Sequence, residues 1–345
     1  LERIGKILHA HPADPEKNAE ACGNAKYKSG EDKIKRHGII VSHNKLMTWI
    51  FFAIAAPALY SASSFVDKFL IEKRVKNPIL LTVLGGIITF LATAAVFLFH
   101  GTGSLSISQI SILLVAGMAA ELALIPYYRA LSFDDTSRVL PLFQIIPIFV
   151  AILSYVLLGE TLTSFGIIAF LLIMSGGFML SLKKISSATF RLRRSFWWAM
   201  AASALYAFPS VLFKLVVVHA DFWTTLAYEC LGGAIGAFIL FLIFFKKSEQ
   251  EAITLSGNTW IIIVGNEILY FIGQLSGFYA VTLGPVALVA AFGSTGPLFT
   301  LLYGIILSLW LPQIIKEDLA ESTLRIKTIA IILILAGGIL ISVSR

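Results

Sequence analysis

The sequence predicts an all-α membrane protein of ten transmembrane helices arranged as two inverted five-helix repeats, and three observations carry that prediction. Apolar stretches of about 20 residues recur with short polar breaks, long enough for a helix to cross a hydrocarbon layer of about 30 Å and about twice the length of a barrel strand. Composition agrees: 57% of the residues are hydrophobic and 14% charged, with a mean hydropathy of +0.85. A soluble domain carries about a quarter charged residues, so this chain is solvated by lipid. Finally, landmarks of the first half return in the second. Ala58-Leu59-Tyr60 followed by Lys68 returns as Ala204-Leu205-Tyr206 followed by Lys214, and Leu84-Gly85-Gly86 as Leu231-Gly232-Gly233. Pro147 is answered by Pro297, and Ile168-Ala169 with Gly176-Gly177 by Ile329-Ala330 with Gly337-Gly338. An odd number of spans per repeat turns the second copy upside down, a common build of secondary transporters with the solute near the midplane.

Residues 1–46 are polar, with no sustained apolar period, and read as a disordered tail that the working protein does not need; Met47 is the first methionine. His9, His11, Cys22, His37 and His43 in this tail match no zinc spacing. The first repeat is placed at 47–184 and the second at 195–345. Within them the spans run 47–70, 78–99, 108–131, 136–158, 162–182, 196–218, 222–245, 259–283, 285–311 and 324–344. The fourth holds Pro141 and Pro147 around Gln144; its counterpart, the ninth, holds Gly293-Ser294-Thr295-Gly296-Pro297. Proline removes a backbone donor and crowds the preceding turn, so both spans are expected to break. Freed backbone groups must then face protein or a wet cavity, which makes a matched pair of broken helices a pointer to a binding site.

Basic residues cluster after odd-numbered spans: Lys68, Lys73, Arg74 and Lys76; Arg129 and Arg138; Lys183, Lys184, Arg191, Arg193 and Arg194; Lys246 and Lys247; Lys316, Arg325 and Lys327. The loops after even-numbered spans hold none, so the odd loops are expected in the cytoplasm and both termini outside. The net charge of +7 is thus a topology signal and not a nucleic-acid surface. Cys22 and Cys230 imply no disulfide framework. Trp49, Trp197, Trp198, Trp223, Trp260 and Trp310 are expected at the lipid boundary.

Tyr127-Tyr128-Arg129-Ala130-Leu131, then Pro141 to Pro147, then Leu158-Gly159-Glu160-Thr161-Leu162 with Gly176-Gly177 in the next span, resembles the EamA repeat of the drug/metabolite transporter superfamily. The second half keeps Gly337-Gly338 but replaces the Gly-Glu-Thr-Leu step by the loop Pro312 to Lys327. The resemblance implies two inverted EamA repeats moving a small organic solute such as an amino acid, nucleobase, sugar phosphate or toxic cation. Members are often drawn with both termini in the cytoplasm, from which the loop charges here depart.

A carboxylate at the centre of a membrane helix costs about 2.5–3.5 kcal/mol on insertion scales, so each one needs a reason. Glu121 in span three and Glu267 in span eight, beside Asn266, hold matching places in the two repeats and are expected to converge on the cavity. A carboxyl withdrawn from water titrates nearer neutrality, which suits proton coupling. Glu229 and Lys214 come next; Lys214 is expected to pair with Glu229, to meet a substrate carboxylate, or simply to snorkel to the membrane boundary. Tyr60, Tyr206, Tyr127, Tyr128, Gln144 and Gln274, with Ser294 and Thr295 at the broken helix, complete the candidate lining. Each also has a plain reading as a polar contact between helices. Asp134-Asp135 with Arg138 reads as a solvated charge pair. No nucleotide loop, metal-ligand cluster or nucleophile–base pair is present in the sequence, so no cofactor and no enzymatic chemistry are expected. The expectation is a multi-pass carrier of the inner or plasma membrane, exporting or exchanging a small metabolite by alternating access, with the bilayer and a coupling proton as further partners. The rival readings are a non-transporting sensor or scaffold on the same fold and a lipid-headgroup flippase.

Overall fold

The computed structural model describes residues 47–67, 69–70, 73–75, 78–133, 139–181, 194–252, 256–310 and 321–343. The tail, Lys68 and the Asp134-Asp135 pair with Arg138 lie outside the described residues. The membrane unit is Thr48–Arg345. Its helices are α1 (Met47–Asp67), α2 (Pro78–His100), α3 (Ile107–Leu122), α4 (Leu124–Phe133), α5 (Ile146–Leu153) and α6 (Ser164–Ser181). They continue as α7 (Arg194–Val217), α8 (Phe222–Ala252), α9 (Gly257–Leu283), α10 (Val286–Gly293), α11 (Gly296–Trp310) and α12 (Glu321–Val343). Eight stretches are long and apolar enough to cross a membrane, and two shorter apolar helices, Leu142–Leu158 and Lys327–Ile341, lie where the fourth and tenth spans were expected. The protein is all-α among the described residues and a multi-pass membrane protein. Its outer faces carry bare apolar side chains, Phe99 at 92% exposure and Ile261 at 72% among them, as lipid contact requires.

The breaks follow the prolines. The fourth span is a composite: a 3-10 turn over Leu140–Ile145, then α5, then a π turn over Ser154–Leu158 that ends at Gly159 with φ of 66°. Only a residue without a Cβ takes that angle at little cost. The ninth span splits into α10 and α11 at Ser294 and Thr295, where Pro297 cannot donate to the carbonyl four residues back. The third span, expected as one helix, also splits: Pro126 has no N–H for the Leu122 carbonyl, and the turn at Ala123 separates α3 from α4. Glu121 sits at that split.

Small residues set the close contacts. α6 and α12 run antiparallel: Gly176 lies on the Ala330 carbonyl and Ile334, while Gly337 lies on the Ala169 carbonyl and Ile173. The two contacts match: in each, a glycine of one helix lies on an alanine carbonyl and an isoleucine of the other. α8 lies against both α2 and α3, with Gly86 on Ala237, Gly117 on the Glu229 carbonyl and Gly232 on Leu114. A side chain at any of these glycines would push the backbones apart. α10 packs on α5, so the two broken spans touch one another.

The loops after the even spans share one end of the bundle. His100 Nε2 is 2.9 Å from Asp221 Oδ2, and Glu160 Oε2 accepts the Val286 N–H at 3.0 Å. At the same end Trp49 departs from the expected lipid boundary. It is only 4% exposed, because side-chain-free Gly284 admits its indole and Phe292 closes on it edge-on at 6.0 Å. Trp197 and Trp223, at 63% and 45% exposure, do face outward.

Candidate functional site

Three membrane-embedded glutamates and one aspartate gather from four helices. Glu121, at the end of α3, lies against Gly233 and Gly236 of α8. Glu229 of α8 is fully enclosed and accepts a hydrogen bond from Gln274 Nε2 of α9 at 3.1 Å; its carboxyl also bonds the thiol of Cys230. Glu267 of α9 lies against Gly85 of α2. Thus Glu121 rests on two glycines of the second half and Glu267 on one glycine of the first. Beside Glu267, Asn266 Nδ2 donates to Asp67 Oδ1 of α1 at 2.7 Å.

Tyr270 stands at the centre of the set. It lies within electrostatic reach of Glu121, Glu267, Glu229 and Asp67, and its ring is 4.9 Å from that of Tyr60. Tyr206 of α7 is in reach of Tyr270 and Glu121, and it continues a row of rings through Phe143 (6.3 Å) to Tyr127 (5.4 Å) and Tyr128 (5.3 Å). At about 100° per residue, Tyr270 points opposite the lipid-facing stripe of Ile261, Ile268 and Ile272. It is nevertheless 48% exposed, so it borders open space inside the bundle. Among the described residues, no Lys or Arg is within reach of Glu121, Glu229, Glu267 or Tyr270. The chamber is therefore acidic and aromatic, suited to holding a proton or a cation against carboxylates and tyrosine faces.

The structure brings Glu121, Glu229, Glu267, Asn266, Gln274, Tyr60 and Tyr206 into this neighbourhood. Lys214 does not join it and does not pair with Glu229. Its Nζ donates to the carbonyls of Val281 (2.6 Å) and Gly284 (3.0 Å), and lies 3.9 Å from Glu160 Oε1. It caps the C-terminal carbonyls of α9 while Glu160 caps the N-terminus of α10, a use of both helix ends that favours those charge signs. The Gly-Glu-Thr-Leu step thereby acquires a structural role: its carboxylate holds half of a broken helix.

At the break itself, Thr295 Oγ1 donates to the Phe292 carbonyl at 2.7 Å, and the Ser294 hydroxyl is buried with no partner. From α1, Ser61 Oγ reaches the Gly296 carbonyl at 2.9 Å. In the fourth span Gln144 Oε1 is likewise buried and unpartnered. Such orphaned atoms are rare in membrane interiors and mark places where a solute or water finds hydrogen bonds.

Two members of the cluster, Asp67 and Tyr270, were absent from the sequence-derived set. Tyr270 was legible as the middle of the stripe Asn266, Tyr270, Gln274 at steps of four, which puts three polar groups on one helix face. Asp67 gives no comparable signal, since an acid beside Lys68 at a helix end reads as a surface pair. Among the described residues, no group of three or more His, Cys, Asp and Glu side chains is arranged to hold a metal ion.

Residues 47–182 match the EamA-like transporter family, so the chain carries an EamA-like domain over that stretch, consistent with the drug/metabolite transporter superfamily. One solved crystal structure of a protein superposes with a TM-score of 0.65 at 17% identity, covering 85% of this chain and 96% of that one. That coverage extends beyond residue 182, so the shared fold includes much of the second half; at this identity the likeness is one of fold alone. No match was found among curated proteins. The protein is a membrane protein with an EamA-like transporter domain, consistent with transport of small molecules.

Proposed function

We propose that the protein is a secondary active transporter that moves a small organic solute by alternating access through the chamber around Tyr270, with Glu267 as the principal coupling group and Glu121 as its partner. The observation that carries this reading is the gathering of Glu121, Glu229, Glu267 and Asp67 around Tyr270 without a basic partner among the described residues. A static scaffold has no use for such a set, because each buried acid costs insertion energy and gains no ion pair in return. A carrier uses it: a carboxyl that holds either a proton or a solute, but not both, links the two flows.

The two moving bodies would be residues 47–184 and 195–345 as inverted five-helix repeats. The reciprocal glycine contacts of α6 and α12 support that arrangement, as do the crossed positions of Glu121 and Glu267. The broken fourth and ninth spans, touching through α5 and α10, supply Gln144, Ser294 and Thr295 as further solute contacts.

Glu267→Gln tests the reading, since it keeps size and most hydrogen bonding but removes the titratable proton. Uptake into proteoliposomes over a pH series, normalised to folded protein, should stop or lose its pH dependence. Unchanged pH-dependent uptake in the Glu267→Gln/Glu121→Gln double variant would remove both residues from the mechanism. Orientation is tested separately, in a Cys22→Ser/Cys230→Ser background. Single cysteines at Gly103 or Thr161 should react with an impermeant thiol reagent in intact cells, and cysteines at Ser195 or Lys247 should resist it. The reverse pattern places the termini in the cytoplasm.

A further inference from the structure

α10 is a short rod between two breaks. Before it stands the Gly284-Pro285 turn, whose proline has no N–H to continue a helix; after it, Ser294 and Thr295 interrupt the span. Eight residues make a lever about 12 Å long. Its lower end rests on one point: Ser294 lies directly on Gly177 of α6, whereas a Cβ at the neighbouring Gly293 would meet nothing within 4 Å.

The upper end is held by side chains of three other elements, all at the end of the bundle formed by the even loops. The Glu160 carboxylate accepts the Val286 N–H at 3.0 Å, and Lys214 Nζ donates to the Gly284 carbonyl at 3.0 Å. Trp49 covers Gly284 and meets Phe292 edge-on. Trp49 and Glu160 come from the first half of the chain, and the rod they hold from the second. Glu160 is carried by residues 159–163, which have no regular structure.

Water can replace these fastenings. The Lys214 and Glu160 side chains are 12% and 22% exposed, and their charged atoms stand 3.9 Å apart, at the limit of an ion pair. Once released, each exchanges a protein partner for water at small net cost. The packing at the odd-loop end is of another kind: Leu70, Val75, Leu80, Leu81, Leu84 and Ile263 form a buried apolar cluster that no water partner could replace.

We propose that α10 is a gate. Pivoting on Ser294, it leaves Glu160 and Trp49 and opens the even-loop end of the pathway; held by them, as here, it closes that end. The same movement turns the break at Ser294 and Thr295, so the gate and the broken span act as one part. This inference rests on the carrier reading and names a moving element of the same pathway.

Hydrogen–deuterium exchange of the full-length protein in nanodiscs tests the gate without a solute. A helix as buried as α10 exchanges slowly if it stays in place. The Val286–Gly293 peptide of the unsubstituted protein should instead exchange on the order of 100-fold faster than Ala169–Gly177, in the continuous helix α6. A disulfide should then stop the motion. A Cβ at Gly284 lies 2.9 Å from Trp49 Cγ. That places it within about 4.5 Å of the Trp49 Cβ, in reach of an S–S bridge. In a Cys22→Ser/Cys230→Ser background, oxidised Trp49→Cys/Gly284→Cys should slow exchange of Val286–Gly293 about tenfold relative to the unsubstituted protein, and reduction should reverse this. Exchange in α10 as slow as in α6 makes it a fixed latch and overturns the proposal. So does exchange that the disulfide leaves as fast as in the unsubstituted protein. The two readings fail differently. Proteoliposome uptake that survives Glu267→Gln removes Glu267 from coupling whatever α10 does; uptake lost in Glu267→Gln beside a motionless α10 removes the gate alone.

Discussion

Two regions of this protein place charged side chains within the helix bundle, and they treat them in opposite ways. At the end of the bundle formed by the even loops, Lys214 and Glu160 are spent on partners: three backbone carbonyls, the Val286 N–H and one another. Around Tyr270, Glu121, Glu229, Glu267 and Asp67 face mainly each other, and the described residues offer them no cation. The first region is a latch that joins α7, α9, α10 and the loop after the fourth span. Its charges satisfy backbone groups that prolines and helix ends have left open. The second is a cluster of acids with no cation among the described residues, and under the proposed transport function its partner is supplied by what passes through. In a membrane interior the informative property of a charge is thus what it is paired with, more than its presence.

Substitutions sort the two regions. The largest effect is expected from Glu121→Gln/Glu267→Gln: transport per folded molecule should fall on the order of 100-fold, the upper end of a site-to-site coupling, with little change in melting temperature. A lowered melting temperature with normal transport per folded molecule would make the centre a second latch. Lys214→Met should do the reverse. Leaving carbonyls and a carboxylate unpaired should cost about 2–3 kcal/mol of stability, read by denaturant unfolding in detergent, while the surviving folded protein still transports. Loss of transport without loss of stability would return Lys214 to the site.

Glu160→Gln should act in the same direction but less, by about 1 kcal/mol, since the amide oxygen still accepts the Val286 N–H and only the charge is gone. The smallest effect belongs to the half-exposed clasp at the same end of the bundle. Slight burial raises the Asp221 carboxyl, but the Thr224 N–H at 2.9 Å and the nearby His100 outweigh it and hold the group below its ordinary value. A depressed acid contributes stability above its unfolded value of about 4 and loses it as pH falls through the lower folded value. Melting curves below pH 4 should therefore become less pH-dependent in Asp221→Asn, and curves identical to those of the unsubstituted protein would show the clasp to be without weight.

The sequence by itself determined that this is a helical membrane protein, because a span must satisfy every backbone group within its own run of about 20 residues, and such runs are visible one at a time. On the same ground it picked out most of the polar cluster around Tyr270: Glu121, Glu229, Glu267, Gln274, Tyr60 and Tyr206 stand out because polar atoms are costly in apolar helices. The broken fourth and ninth spans were readable from their prolines, and the split beside Glu121 was equally written in Pro126. Partnership was not legible. That Lys214 turns to Glu160 and the end of α9 instead of Glu229, that Trp49 enters the space over Gly284, and that Asp67 and Tyr270 complete the cluster all depend on which helix faces meet. Those meetings are set by glycine contacts such as Gly85 with Glu267 and Gly117 with α8, between residues more than a hundred positions apart. Helices already satisfied along their own length carry no local signal of their neighbours, so only side-chain packing in three dimensions could choose them.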